Sequence, residues 1–306
     1  MKEKRKVLLK TFLALAVTLS VFYVIFRNVD VFSVINILSQ ANVSYLIVAA
    51  ILGIFIILFF TLRWQNVLAA MDFTLPFRDA FDIIMGVFPF AAVTPSIASD
   101  GMRAVFLRGR IRASIVIGSV LAERTLEFAT LLMFLVIGMV LINKFQYFGI
   151  AAIIFCSILL MVYLAHVKIN LPFKEIWNER LENIFLSLRI LTKNKKFFLI
   201  VVGYTLLVWI FSIIQILAFF YALGIKVPIA ALLVGAPIAI LIGQIPITLG
   251  GAGTRDAAFI IIFSEYATPE QLLSVGIFFT LFRVWLPSII GIYFMRKLIR
   301  AKDNVE

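Results

Sequence analysis

Apolar runs long enough to cross a bilayer recur along the chain at about 7–26, 43–62, 80–98, 113–142, 147–167, 197–223, 230–249 and 269–295, separated by short polar segments. A hydrocarbon core about 30 Å thick takes about 20 helical residues, so the pattern predicts an all-α, polytopic integral membrane protein. Two runs differ from the rest. Residues 80–98 contain Gly86, Pro89 and Pro95 and lead into Ser96-Ile97-Ala98-Ser99-Asp100-Gly101. Residues 230–249 contain Gly235, Pro237, Gly243 and Pro246 and lead into Gly250-Gly251-Ala252-Gly253. Proline and glycine at this density break helices, and broken backbone survives at membrane depth only where protein or a water-filled cavity covers it. The expectation is six spanning helices plus two re-entrant hairpins.

Composition strengthens that reading. Hydrophobic residues make up 63% and charged residues 14%, with a mean hydropathy of +1.10, against about 45–50% apolar content in soluble domains. A net charge of +12 could point to nucleic acid, but the basic residues border apolar runs instead of forming a soluble face, so no nucleic-acid partner is expected. With six crossings, Arg27, Lys144 and Lys226 fall outside and Arg124, Arg255 and Arg283 lie within apolar elements; the rest of the 28 lysines and arginines, Arg63 among them, fall on the cytoplasmic side. The positive-inside rule then places both termini in the cytoplasm of a multi-pass plasma-membrane protein. The first run, after Lys2-Glu3-Lys4-Arg5-Lys6, has no small-residue cleavage site and reads as a retained span.

In this topology the two hairpins enter from opposite faces. The chain becomes one transmembrane domain, 1–306, with halves at about 43–142 and 197–299 related by inversion, a pattern seen in transporters with a midplane site. Thr94-Pro95-Ser96-Ile97-Ala98-Ser99 can be laid over Thr248-Leu249-Gly250-Gly251-Ala252-Gly253. The final helix is expected to start at Thr268-Pro269-Glu270-Gln271, with Thr268 capping and Gln271 closing a capping box.

Candidate chemistry sits inside the apolar elements. A single charged group at a bilayer centre costs about 2.5–3.5 kcal/mol, so Glu123, Arg124 and Glu127 in one helix need partners or water; Arg124 and Glu127 share a face. They read either as a packing lock or as the polar lining of a headgroup or proton path. Arg283 is more than ten residues from either end of its helix, too deep to snorkel easily. Gly250, Gly251 and Gly253 permit close backbone approach, and Arg255 and Asp256 follow where a helix N-terminus could face an anion. Arg103 closes the first broken segment. One Cys156 and one His166 cannot build a metal cluster, and no phosphate-binding Gly-Lys-Ser/Thr loop is present. No cofactor, metal or enzymatic activity is therefore expected.

Arg63-Trp64, the stretch Pro95 to Arg103, Glu123-Arg124, the Pro-x3-Gly-Gly-x-Gly-x-Arg-Asp run ending at Asp256, and Arg283 before Gly291 together resemble the flippase-like transmembrane domain of lysylphosphatidylglycerol synthases. The resemblance covers nearly the whole chain, and no synthase domain precedes Glu306, so it implies a stand-alone member. It implies a lipid flippase moving a polar or anionic-headgroup lipid, a phospholipid or a polyprenyl-phosphate-linked lipid, between leaflets. Arg124, Arg255 and Arg283 would meet phosphate, with Glu123, Glu127 and Asp256 balancing charge or binding a coupling proton. An ion-coupled carrier of a small polar solute and an accessory subunit of a membrane glycosyl or lipid transferase are the alternatives. Expected partners are the lipid substrate, anionic lipids at the cytoplasmic face (near Arg108, Arg110 and Arg112), and either a second copy of the chain or a separate lipid-modifying enzyme.

Overall fold

The structure, a computed structural model, describes residues 29–94, 96–142, 186–245, 248 and 251–303, together with Tyr23 and Arg27. The predicted spans 7–26 and 147–167 lie outside the described residues, apart from Tyr23. The described elements are helical: α1 (Val31–Ser39), α2 (Val43–Ala70), α3 (Phe77–Ala91), α4 (Ser96–Phe106), α5 (Ala113–Leu141), α6 (Lys195–Ala222), α7 (Ile229–Gln244), α8 (Thr254–Ile262), α9 (Pro269–Thr280), a π turn (Leu281–Trp285) and α10 (Leu286–Asp303). Four are long and apolar enough to cross a membrane: α2, α5, α6 and the continuous run Pro269–Arg300. The chain is thus an α-helical membrane protein.

Helix starts follow local chemistry. Asp30 accepts from the backbone amides of Phe32 and Ser33, and Asn42 accepts from Ser44. The capping box at Thr268 is present as expected: Thr268 Oγ1 accepts from the Gln271 amide at 3.4 Å, Gln271 Oε1 accepts from the Thr268 amide at 3.1 Å, and Pro269 opens the helix where no N–H is needed.

The two irregular segments are corrected in detail. Pro89 and Pro237 lie inside continuous helices, and the breaks fall further on, after Ala91 and after Gln244. A proline removes one amide donor, and close-packed neighbours can absorb that loss. Pro89 cannot donate to the Met85 carbonyl, and it is at that carbonyl that Gly291 of α10 makes its approach. Any Cβ at 291 would strike the Met85 carbonyl and lie 2.9 Å from Pro89 Cδ. Helices α3 and α10 are further joined by Ser288 Oγ donating to the Phe88 carbonyl at 2.8 Å and by the Lys297–Asp82 ion pair.

Both parts of the chain repeat one pattern: a long helix, two short ones around a break, and a long helix (α2–α5, then α6–α8 followed by α9 to α10). Two apolar clusters form most of the core, and the second also draws in Ala49, Leu131 and Phe134 from the first part. Trp64, Leu68, Ile83, Leu107 and Val116 pack together in the first. Phe219, Phe220, Phe259, Phe263, Phe278 and Phe279 dominate the second. Helices α2 and α6 form the seam, where Gln215 Nε2 donates to the Ala49 carbonyl at 2.7 Å and Phe55, Phe59 and Phe211 meet ring to ring. Away from the seam α2 exposes Ile47, Val48, Ile51 and Ile54, as a lipid-facing surface requires. Between the two parts lies a cavity of about 200 Å³.

Candidate functional site: a charged cavity between the two halves

One wall of the cavity is a closed ion-pair network. Arg63 on α2 is 1% exposed and donates through Nε to Glu123 Oε1 at 2.8 Å and through Nη2 to Glu127 Oε1 at 2.6 Å. Arg103 on α4 reaches Glu123 Oε2 at 2.5 Å and Asp100 Oδ1 at 2.9 Å. Arg124 bonds to Asp100 and, at 2.7 Å, to Glu127 Oε2. Three arginines and three carboxylates thus alternate around a ring in which each carboxylate meets two guanidiniums. Such mutual satisfaction is what permits six charges to be buried together, since a lone ion there would carry a large desolvation cost. Aromatic rings finish the packing: Arg63 lies 4.5 Å above Phe60, and Arg103 lies 5.1 Å from the face of Trp64, whose Nε1 donates to Ser119.

Arg63, read from the sequence as a basic residue following the run 43–62, lies buried in this ring. Helix α2 continues to Ala70 instead of ending at 62, because Glu123 and Glu127 supply the counter-charges that a lipid-exposed arginine would lack. Asp100 was also outside the predicted site set. Its signal was its proximity in sequence to Arg103, at the helical spacing of three.

The opposite wall is built differently. Gly253 has φ +89°, and Asp256 Oδ2 accepts from its amide at 2.9 Å, opening α8. Gly251 has φ +74°, and a Cβ there would strike the Gly243 carbonyl at the end of α7; the glycine loop is therefore a close-packed hinge between α7 and α8. Gly250 is outside the described residues. Arg255, 5% exposed, stacks 4.2 Å above Phe279 and donates through Nη2 to Thr280 Oγ1 at 2.5 Å, while its Nε stands 3.8 Å from Asp256 Oδ1. Arg283 lies in the π turn, 5.8 Å from the same ring. It has no ion-pair partner among the described residues, and its Nη1 is buried without a hydrogen bond.

The cavity therefore gathers Arg103, Arg124, Glu127, Arg255 and Arg283, with Asp100 and Ser99, against Ile56, Phe60, Val87 and Phe282. Glu123 and Asp256 stand behind it as supports, and Gly251 and Gly253 shape the hinge. Arg110 instead pairs with Asp79 at the exposed edge, 3.3 Å away.

The protein is thus a helical membrane protein with a charged cavity between two similar helical groups, its ionisable groups turned inward. The chain belongs to the family described as the lysylphosphatidylglycerol synthase TM region, whose profile matches residues 11–291. It is similar to a UPF0104 membrane protein of Methanothermobacter thermautotrophicus, 27% identical over 290 residues covering 83% of this chain and 86% of that one. A second UPF0104 membrane protein, from Methanocaldococcus jannaschii, is 26% identical over 304 residues covering 89% and 90%.

Proposed function

We propose that this protein is a lipid flippase-like translocator, moving a polar or anionic lipid headgroup through the cavity while the apolar tails remain in the bilayer. The observation that carries the reading is Arg283: a cation in the middle of a membrane-length helix, lining a cavity and lacking a counter-charge among the described residues. A site at that depth favours an anion that brings its own compensation. The apolar majority of the lining suits the chain-bearing part of an amphiphile, and family membership supports a lipid as cargo. Bond-making chemistry is not part of the reading, because Asp100 and Glu127 are both held as ion-paired anions and neither is free to act as a general base.

The reading takes α3–α4 and α7–α8 as re-entrant hairpins entering from opposite faces of the plasma membrane, with the two halves inverted and both termini cytoplasmic. Alternating exposure of the cavity would then follow from rocking one half against the other about the α2–α6 seam.

The test is headgroup translocation in proteoliposomes, read by chemical quenching of a fluorescent lipid in the outer leaflet. Wild-type protein should raise the inner-leaflet exchange rate above that of empty vesicles, and Arg283→Ala, reconstituted to the same level, should return it to that baseline. Unchanged transport by a folded Arg283→Ala protein would remove this residue from the pathway. The modest size of the cavity also suits an ion-coupled carrier of a small solute; uptake of the water-soluble headgroup alone, without lipid movement, would favour that reading.

A further inference from the structure

The proposed translocation pathway leaves the headgroup undefined, and the charges and unpaired atoms of the cavity narrow it. The ring of Arg63, Arg103, Arg124, Asp100, Glu123 and Glu127 is neutral in itself, and Arg255 is offset by Asp256. Among the described residues this leaves Arg283, a single positive charge. Among the described residues, four buried hydrogen-bond donors of cavity-lining residues have no partner: Arg283 Nη1, Arg255 Nε, Trp209 Nε1 and Arg103 Nε, the last on a guanidinium already held by Glu123 and Asp100. One lining acceptor, Gln244 Oε1, is likewise unpartnered. Among the described residues no carboxylate facing the cavity is left over for an ammonium group, since Asp100 and Glu127 each already hold two arginines.

We infer that the cavity selects a lipid whose headgroup is a phosphodiester of one net negative charge bearing a hydroxylated substituent, over zwitterionic phosphodiesters and over phosphomonoesters. The phosphate oxygens accept from Arg283, Arg255 and Trp209, and a hydroxyl donates to Gln244. A complex with one negative charge is neutral overall, the state of lowest cost in a medium that solvates net charge poorly. A zwitterion brings a cation that finds no anion. A phosphomonoester, whose second pKa lies near 6, brings a second negative charge that finds no cation. The shared chemistry fits both a glycerol-linked and a polyprenyl-linked phosphodiester, and this inference rests on the lipid reading above.

Binding tests it independently of transport. The full chain in uncharged detergent is titrated with short-chain phosphatidylglycerol, phosphatidylcholine, phosphatidic acid and a glycosyl phosphopolyprenol, with thermal stabilisation as the readout. Phosphatidylglycerol, the glycosyl phosphopolyprenol or both should bind on the order of tenfold or more tightly than the zwitterion and the monoester, the two arms separating the sources. Attraction to the basic surface alone would give the opposite order for the dianion, so phosphatidic acid binding most tightly overturns the inference. Arg283→Gln should erase the preference for the single negative charge. Gln244→Glu, which adds one negative charge to the wall, should shift the preference toward phosphatidylcholine; retained preference for the anion in both folded variants overturns the assignment. Transport without headgroup selectivity would leave the flippase reading standing and remove this one, whereas selective binding without transport would do the reverse.

Discussion

Replacing Arg63 by leucine should be among the most damaging single changes in the protein, although Arg63 does not line the cavity. It is almost fully buried and joins α2 to α5 through two bonds, at 2.8 Å to Glu123 and 2.6 Å to Glu127. Removing one partner from a buried ion pair costs about 3–5 kcal/mol, because the remaining charge keeps its desolvation penalty. Glu123 would retain Arg103 at 2.5 Å and Glu127 would retain Arg124 at 2.7 Å, which places the expected loss near the lower end, about 3 kcal/mol. At about 2–4 °C per kcal/mol this is a fall of about 6–12 °C in Tm, measurable by intrinsic fluorescence during heating in detergent. The double variant Arg63→Leu with Glu127→Gln leaves an electroneutral chain of two arginines and two carboxylates, Glu123–Arg103–Asp100–Arg124. Its loss should be smaller than the sum of the single losses by about 0.5–3 kcal/mol, the range for residues in one network. Strict additivity, or a single variant as stable as wild type, would show that the six charges do not act as one unit.

Two further outcomes follow from close backbone approaches. Gly251→Ala imposes a left-handed residue, at about 1–2 kcal/mol, and drives a methyl group into the Gly243 carbonyl; lowered Tm together with lost lipid translocation is expected, and full wild-type behaviour would show that the hinge is not packed as described. Gly291→Ala should destabilise more than Gly86→Ala, because a Cβ at 291 meets the Met85 backbone carbonyl whereas one at 86 meets the movable end of Leu298, 2.8 Å away; equal Tm losses in the two variants would contradict the α3–α10 contact.

The hydropathy pattern alone located the four long helices to within a few residues, apart from α2, which runs on from 62 to Ala70, and the last helix, which runs past 295, and it singled out the two segments that are interrupted, though not the residues at which they break. It could do so because lipid demands about 20 apolar residues wherever a helix crosses, a one-dimensional rule that needs no partner. The capping box at Thr268 was legible for a similar reason: its donors and acceptors are three residues apart. Arg124, Glu127, Arg255 and Arg283 could be singled out because an ionisable residue in an apolar run is costly by itself.

What each charge does was decided by tertiary structure. Arg63 looked like a flanking charge until α2 was packed against α5, sixty residues away in sequence, and Arg124 looked available for a substrate until Asp100 and Glu127 took it. Pro89 and Pro237 looked like helix breaks, yet both lie inside continuous helices, and at Pro89 the neighbouring α10 packs onto the Met85 carbonyl left without its usual donor. Sequence fixes the cost of burying a charge or a proline, because that cost belongs to the residue. Which groups offset it depends on helices brought together from distant parts of the chain, and only packing determines that Arg124 is paired while Arg283 faces the cavity alone.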